Sequence, residues 1–433
     1  MKLFQQMLVA GASLSFIAPM AAQASNVVNL DEINSYARRG TKSSRIDSKT
    51  FINEVSEDIA KLKGRVDGLE VRQNEYEAGG FSDTTTMDGK AVFQIGAVEQ
   101  AEGGLSESLQ AAYTYQVNLN TSFTGDDNLY VRLKTGNASQ FMDSKTYGTY
   151  LSSANGNNDA LEVDKIWYSF PVGDNNTVWV GPKIENYYMH GTTPSIYKPV
   201  TKQFTLGGNA AAYGASTDSG AGWAYNADNG FAVSSNIVSK QNESTRGLLT
   251  NESRTSWATQ VGFTQPQYAV SAIVNMKYNG WYDDYFSTAN GITSRGHAGS
   301  TPAGNGTNLN STNVGLRAWW RPEESGTATP EITLGYDTSK IDNAPAGADS
   351  TDAWFAGLTW KDMINADDRI GVAFGQPQTV ENENVEPFAW EAYYSYKVND
   401  SVSVTPAIFG GTDRNGTAGR DISGAVLETT FKF

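Results

Sequence analysis

The sequence contains no cysteine and only two histidines, His190 and His297. The first absence excludes disulfide frameworks, thiolate metal sites and cysteine nucleophiles together. The second leaves metal clusters and histidine-based acid–base catalysis with little material, so no cofactor, metal or catalytic residue is expected. Basic residues are also scarce, 32 against 47 acidic ones, and the formal charge of −15 denies the chain the basic surface that nucleic-acid binding needs. Hydrophobic residues make up 39% of the chain, under the usual ~45% or more. What is abundant is glycine, 43 residues, and aromatic side chains, 11%. That balance suits a structure whose apolar surface is one thin shell.

Long apolar runs are missing as well. The stretch from Met7 to Met20 is too short for the ~20 residues of a membrane-spanning helix. Preceded by Lys2 and followed by Ala22-Gln23-Ala24, it reads as a signal peptide over residues 1–24 with cleavage after Ala24. Residues 25–50 are polar and basic-leaning and read as a linker. Over residues 51–80 the apolar positions Ile52, Val55, Ile59, Leu62, Val66 and Leu69 alternate in steps of three and four, the seam of a coiled-coil helix that Gly79-Gly80 ends.

From residue 81 to 433 the period becomes two. In residues 129–134, Leu129, Val131 and Leu133 share one face while Tyr130, Arg132 and Lys134 share the other. Such alternation recurs near residues 87–98, 109–123, 128–136, 161–170, 177–185, 221–227, 230–239 and 255–264. It returns near 268–279, 312–321, 330–338, 352–361, 368–375, 386–397, 401–410 and 422–433. The connectors between these about sixteen strands alternate between short and long. Gly173-Asp174-Asn175-Asn176 and Asn399-Asp400 are short, whereas residues 137–160, 186–220 and 280–311 are long. A soluble sandwich has no reason to keep that asymmetry. An antiparallel transmembrane β-barrel has one, because one end closes with tight turns and the other carries long loops. The paired aromatics Trp319-Trp320, Tyr187-Tyr188, Tyr393-Tyr394 and Trp281-Tyr282 are expected to fit interfacial girdles.

The last strand ends in Phe431 and Phe433 on one face, and a terminal Phe on an amphipathic strand resembles the signal read by the outer-membrane assembly machinery. The stretch LKGRVDGLEVRQNEYEAGGFSDTTTMDGKAVFQIGAV, residues 62–98, where the coiled coil runs into the first strand, resembles the corresponding junction of cyanobacterial outer-membrane porins. That family is also described as iron-uptake porins and as related to carbohydrate-selective, OprB-like porins. The resemblance implies a porin domain embedded in outer-membrane lipid, with the coiled coil in the periplasm, a homotrimer, and passive diffusion of small polar solutes: inorganic ions, iron species or sugars. Typical members carry a surface-layer-homology module before the coiled coil. Residues 25–50 are too short for it, which leaves peptidoglycan contact through the basic linker as the weaker expectation.

A barrel of about sixteen strands is wide enough for water, and selectivity then depends on what narrows and lines it. The connector 186–220 is the third long one, the position that commonly folds into the lumen in general porins. It is the expected constriction, carrying Tyr187, His190, Lys198 and Lys202. By strand parity Arg132, Lys134, Lys165, Lys183, Arg317, Arg321 and Arg369 are expected to face the lumen and to favour anions. A rim hydrolase would need His190 or His297, and no Gly-x-Ser-x-Gly lies near either. An active transporter would need a plug domain larger than the residues before the barrel allow. The remaining alternative is a structural protein linking the membrane to the cell wall through its coiled coil.

Overall fold

In the computed structural model the alternation read from the sequence becomes a pleat with inverted polarity. Along residues 311–319, Ser311, Asn313, Arg317 and Trp319 are buried, while Leu316 is half exposed. The same inversion holds elsewhere: Gln94, Asn236, Gln260 and Asn275 lie inside, and Phe93, Trp257, Val270 and Leu334 lie outside. A continuous exposed apolar surface around a polar interior is stable only against lipid. No helix among the described residues is long and apolar enough to cross a membrane, so the strands do the spanning.

The structure describes Lys63 and residues 84–433, except 103, 215–216, 241–246, 282–284 and 294–308. The expected signal peptide, the linker and the coiled-coil seam Ile52, Val55, Ile59, Leu62, Val66 and Leu69 lie outside the described residues. The chain divides into two units at Gly79–Gly80, and the second is the barrel.

Sixteen antiparallel strands build it. The first eight are β1 (Thr85–Gln100), β2 (Gln110–Thr121), β3 (Asn128–Gly136), β4 (Glu162–Pro171), β5 (Asn176–Ile184), β6 (Asp218–Asn226), β7 (Phe231–Ser239) and β8 (Thr255–Thr264). The second eight are β9 (Tyr268–Tyr278), β10 (Ser311–Trp320), β11 (Glu331–Ile341), β12 (Ser350–Lys361), β13 (Arg369–Val380), β14 (Phe388–Lys397), β15 (Val402–Thr412) and β16 (Ile422–Lys432). Each strand pairs with its neighbours in sequence, and β1 closes on β16, Lys90 opposite Lys432 and Gln100 opposite Ile422. Closure leaves no unpaired strand edge in the bilayer.

The seam is tied at its end by the C-terminal residue. The Gly89 amide donates to the Phe433 carbonyl at 2.8 Å and the Phe433 amide to the Gly89 carbonyl at 3.1 Å. Phe431 and Phe433 both face outward, 5.2 Å from Phe93 and 5.8 Å from Tyr115 between ring centroids.

Short turns are stitched by single carboxylates. Asp127 accepts from the amides of Phe123 and Thr124, and Asp368 accepts from those of Met363, Ile364 and Asn365. Each carboxylate satisfies donors that the reversal of the chain would otherwise orphan.

Two expectations from parity are corrected here. Lys183 does not face the lumen, because a β-bulge between Gly181 and Ile184 adds a residue and inverts the pleat. Ile184 turns inward against Tyr130 and Met189. Lys183 sits opposite Ile166, on the outer face, and donates to the Val163 carbonyl at 2.6 Å. Trp319-Trp320 and Tyr393-Tyr394 do not form girdles as pairs, since neighbours on a strand point to opposite faces, Tyr187 and Tyr188 lie on a connector inside the barrel, and Tyr282 lies outside the described residues. Trp320 is exposed outside while Trp319 and Tyr393 are buried inside.

Candidate functional site

The barrel interior is filled from two directions by its own connectors. Residues 137–161, between β3 and β4, fold inward and bury Phe141, Met142 and Leu151 against Phe409 and Val426 of the wall. These inward-facing apolar side chains would be out of place in water. Covered by the connector, they act as a small core.

The connector 185–217 between β5 and β6 crosses the interior to the opposite wall. Gln260 of β8 exchanges two hydrogen bonds with Thr192, both 2.9 Å. Trp319 of β10 donates to the Thr193 carbonyl at 3.1 Å, and Arg317 donates to the Leu206 carbonyl at 2.8 Å. Glu391 of β14 accepts from the Tyr197 hydroxyl, the Val200 amide, and both the amide and hydroxyl of Thr201. Leu151 forms an isolated bridge with Thr201, so the two inner connectors brace each other. From the last connector, Arg414 reaches both: Nε donates to the Tyr147 carbonyl at 2.9 Å and Nη2 to Gln203 Oε1 at 2.8 Å.

What remains open is a cavity of about 700 Å³ between these connectors and the wall of β1 to β4. The wall contributes Lys90, Arg132, Lys134 and Lys165; the connectors contribute Lys145 and Lys202; Lys240 and Arg254 come from the ends of β7 and β8. Two carboxylates, Asp164 and Glu185, line the same cavity, and Lys240 is ion-paired to Asp218 at 2.8 Å. Asp164 is displaced into the passage by a bulge opposite Arg132–Leu133 and lies 3.6 Å from the Arg132 guanidinium. Glu185 is bound by Lys165 and by the Tyr187 hydroxyl. Burial pushes its carboxyl up, but Lys165 and Lys202 outweigh burial and hold it at about 2. The passage also carries Tyr150, Tyr187, Tyr188, Trp281 and Tyr285.

Arg132, Lys134, Lys165, Tyr187 and Lys202 are therefore brought together in one passage, and other sequence candidates lie elsewhere. His190 is not on the passage. It packs edge-on to Tyr213 at 5.5 Å with Nδ1 3.4 Å from the Asn236 amide nitrogen, and burial holds its imidazole down at about 3. Arg317 points inward but is sealed under the crossing connector, ion-paired to Asp337 at 2.7 Å. Arg321 donates to the Pro266 carbonyl and lines a separate cleft of about 420 Å³ beside Glu323 and Glu324. Lys198 and Arg369 are absent from the main cavity, and Arg369 with Lys361 flanks the short turn between β12 and β13, their charges acting on Lys198.

The sequence reading passed over Lys90, although Phe93 on the opposite face of β1 carried the parity signal. Nothing local could reveal Tyr150 and Tyr285. Their rings meet 5.7 Å apart across two unrelated connectors.

A closed antiparallel barrel, apolar outside, with inner connectors narrowing a polar passage, defines an outer-membrane porin. The Carbohydrate-selective porin, OprB family, matches residues 44–409, and the chain belongs to that family. Among solved structures, the high-pH structure of Pseudomonas putida OprB superimposes with a TM-score of 0.57 at 13% identity, over 84% of this chain and 96% of that one. A loop L8 deletion mutant of Vibrio cholerae OmpT gives 0.51 at 12%, over 81% and 99%. At such identities the likeness is one of fold. An uncharacterized Nostoc protein is 28% identical over 426 residues, 88% of this chain and 71% of its own length. A second, from Synechocystis, is 32% identical over 137 residues, 31% and 25% of the two chains.

Proposed function

We propose that the barrel is a water-filled channel for passive diffusion of small polar solutes, carbohydrates and inorganic ions among them. The observation that carries this reading is the polar cavity of about 700 Å³ left between the two inner connectors and the wall of β1 to β4. A structural anchor would gain nothing from charged groups arranged around open space. The width of a sixteen-stranded barrel supplies the room, and the connectors reduce it to solute size. Carbohydrates are favoured by the family. Iron species rest on the resemblance of the first-strand junction to iron-uptake porins, and such species would pass as complexes rather than bind protein ligands.

The rest of the assignment belongs to the same proposal. The chain is exported by residues 1–24, inserted through recognition of Phe431 and Phe433 by the outer-membrane assembly machinery, and assembled as a homotrimer. Its coiled coil stands in the periplasm, where the basic linker can reach peptidoglycan. Planar-bilayer recording of the purified full chain, with liposome swelling in sugar solutions, tests the channel. Stepwise conductance and sugar-dependent swelling are expected. Insertion without either would leave the structural anchor as the better reading.

A further inference from the structure

Three connectors meet at one point on the passage. Tyr150 comes from the connector after β3, Lys202 from the one after β5 and Tyr285 from the one after β9, and all three line the cavity. The Tyr150 and Tyr285 ring centroids are 5.7 Å apart. Lys202 Nζ lies 5.1 Å from the first and 4.5 Å from the second, and Lys145 Nζ lies 4.7 Å from the Tyr285 centroid. Ring–ring and ammonium–ring contacts of this kind are attractive and hold the side chains together.

The backbone behind each side chain is fixed as well. The Lys202 amide donates to the Tyr150 carbonyl at 2.7 Å and the Ser152 amide to the Val200 carbonyl at 2.6 Å, around the antiparallel bridge of Leu151 with Thr201. Beside Tyr285, the Phe286 ring is buried 5.7 Å from that of Phe204. The Phe286 carbonyl accepts from the Gln378 amide at 3.0 Å, and the Thr288 amide donates to the Gln378 carbonyl at 2.9 Å. Successive residues of one segment thus take separate tasks: Phe286 anchors it to β13 and Tyr285 stands on the passage. Side chains carried on backbone pinned in this way keep their positions as solutes pass.

Ring pairs that serve packing, such as Phe204–Phe286 and Phe141–Phe409, are fully buried. Tyr150 and Tyr285 are only half-buried and face open space. That space, about 700 Å³, lies within the ~300–1,000 Å³ that encloses one small ligand. One aromatic side chain more or less on its edge therefore decides what fits. We infer that Tyr150 and Tyr285, clasped by Lys202, are the size filter of the channel and set the largest neutral solute that passes. Tyr285 belongs to a connector outside the expected constriction 186–220, so the filter is built from three connectors rather than one. This rests on the channel reading above and names the residues that fix its limit.

The test is liposome swelling by the full chain in arabinose, glucose, sucrose and raffinose, with single-channel conductance recorded in parallel. Tyr150→Ala and Tyr285→Ala should each raise the sucrose rate relative to arabinose at least about threefold, because selectivity for uncharged solutes follows pore width. Tyr285→Phe keeps the ring and should match the native chain. Leu316→Ala, on the outer face, should change nothing. Because the chain has no cysteine, Tyr285→Cys places a single thiol on the rim. Labelling it with a bulky methanethiosulfonate, confirmed by mass, should bring the raised sucrose rate back to the native level or below. Conducting alanine variants with the native sucrose-to-arabinose ratio, or a labelled cysteine without effect, would overturn the inference and leave the channel standing. A native chain that inserts but passes neither ions nor arabinose would overturn the channel reading itself, and this inference with it.

Discussion

Glu391 on β14 and Thr201 on the crossing connector are 190 residues apart, and the Glu391 carboxylate accepts from both the amide of Thr201 at 2.8 Å and its hydroxyl at 2.5 Å. With Tyr197 and Val200 added, one side chain of the far wall receives four hydrogen bonds from one loop. Hydrogen bonds contribute about 0.5–1.5 kcal/mol each, and their loss also strands buried donors. Replacing Glu391 by Ala should release the middle of the connector from the wall. The expected result is a larger and noisier single-channel conductance, roughly half as much again, with Glu391→Gln intermediate because its amide oxygen still accepts. An unchanged conductance in E391A would mean that Gln260 and Arg317 hold the connector without help.

Arg414 pins the two inner connectors to the last one. Buried, it donates to Tyr147 and Gln203, and burial lowers its guanidinium to about 10, still charged at neutral pH. The pin needs a glycine beside it: at Gly148, φ +68°, an added Cβ would stand 1.7 Å from Arg414 Nη2. Arg414→Met and Gly148→Ala should each lower the thermal midpoint by several degrees, since a buried acceptor left without its donor costs about 1–3 kcal/mol. The double variant should lose little more than the worse single variant, because both remove one interaction. Additive losses would show that the two residues act separately.

The barrel was legible in the sequence because each strand carries its own evidence, a period of two bounded by turn residues, and all sixteen expected segments overlap the observed strands. The passage was legible only where that period continues, as at Arg132 and Lys134. It failed at Lys183, where a bulge changes the count. The expectation of interfacial girdles failed at Trp319 and Tyr393, which face inward under a connector from elsewhere. Residues such as Tyr150, Lys202 and Tyr285 meet through tertiary folding of three loops, and no short-range pattern encodes that meeting. Tyr187 and Lys202 reach the passage, whereas His190, on the same connector, is turned into its packed side.

His190 supplies a pH test of that packed side. Its imidazole titrates at about 3 because burial disfavours the charged form, against an ordinary value of 6.5. The unfolded chain takes up this proton near pH 6.5 and the folded chain only near 3. The stability due to the neutral folded imidazole is present above pH 6.5 and is lost progressively as pH falls through that window. In detergent, the thermal midpoint of the native chain should therefore drop more between pH 7 and pH 4 than that of His190→Gln. Equal drops in the two proteins would place the acid sensitivity elsewhere.

The charge pattern along the axis predicts an asymmetric current. The seven short turns carry Asp126, Asp127, Asp174, Asp228, Glu323, Glu324, Asp362, Asp367, Asp368 and Asp400, against Arg321 alone. Asp127, Asp362 and Asp368 are engaged in closing their turns, and Asp367 and Asp400 are ion-paired to Lys397, while the others stand at one mouth of a passage lined by Arg132, Lys134 and Lys165. Charges of opposite sign in series favour ion accumulation under one polarity and depletion under the other, so the pore should rectify. At about 0.1 M salt, where screening extends ~10 Å, the currents at opposite voltages should differ by roughly 1.5-fold, and at 1 M, where it extends ~3 Å, the difference should nearly vanish. Replacing Asp174, Asp228, Glu323 and Glu324 by their amides should remove most of the asymmetry at low salt. An asymmetry that survives in this variant would place its origin inside the passage rather than at the mouth.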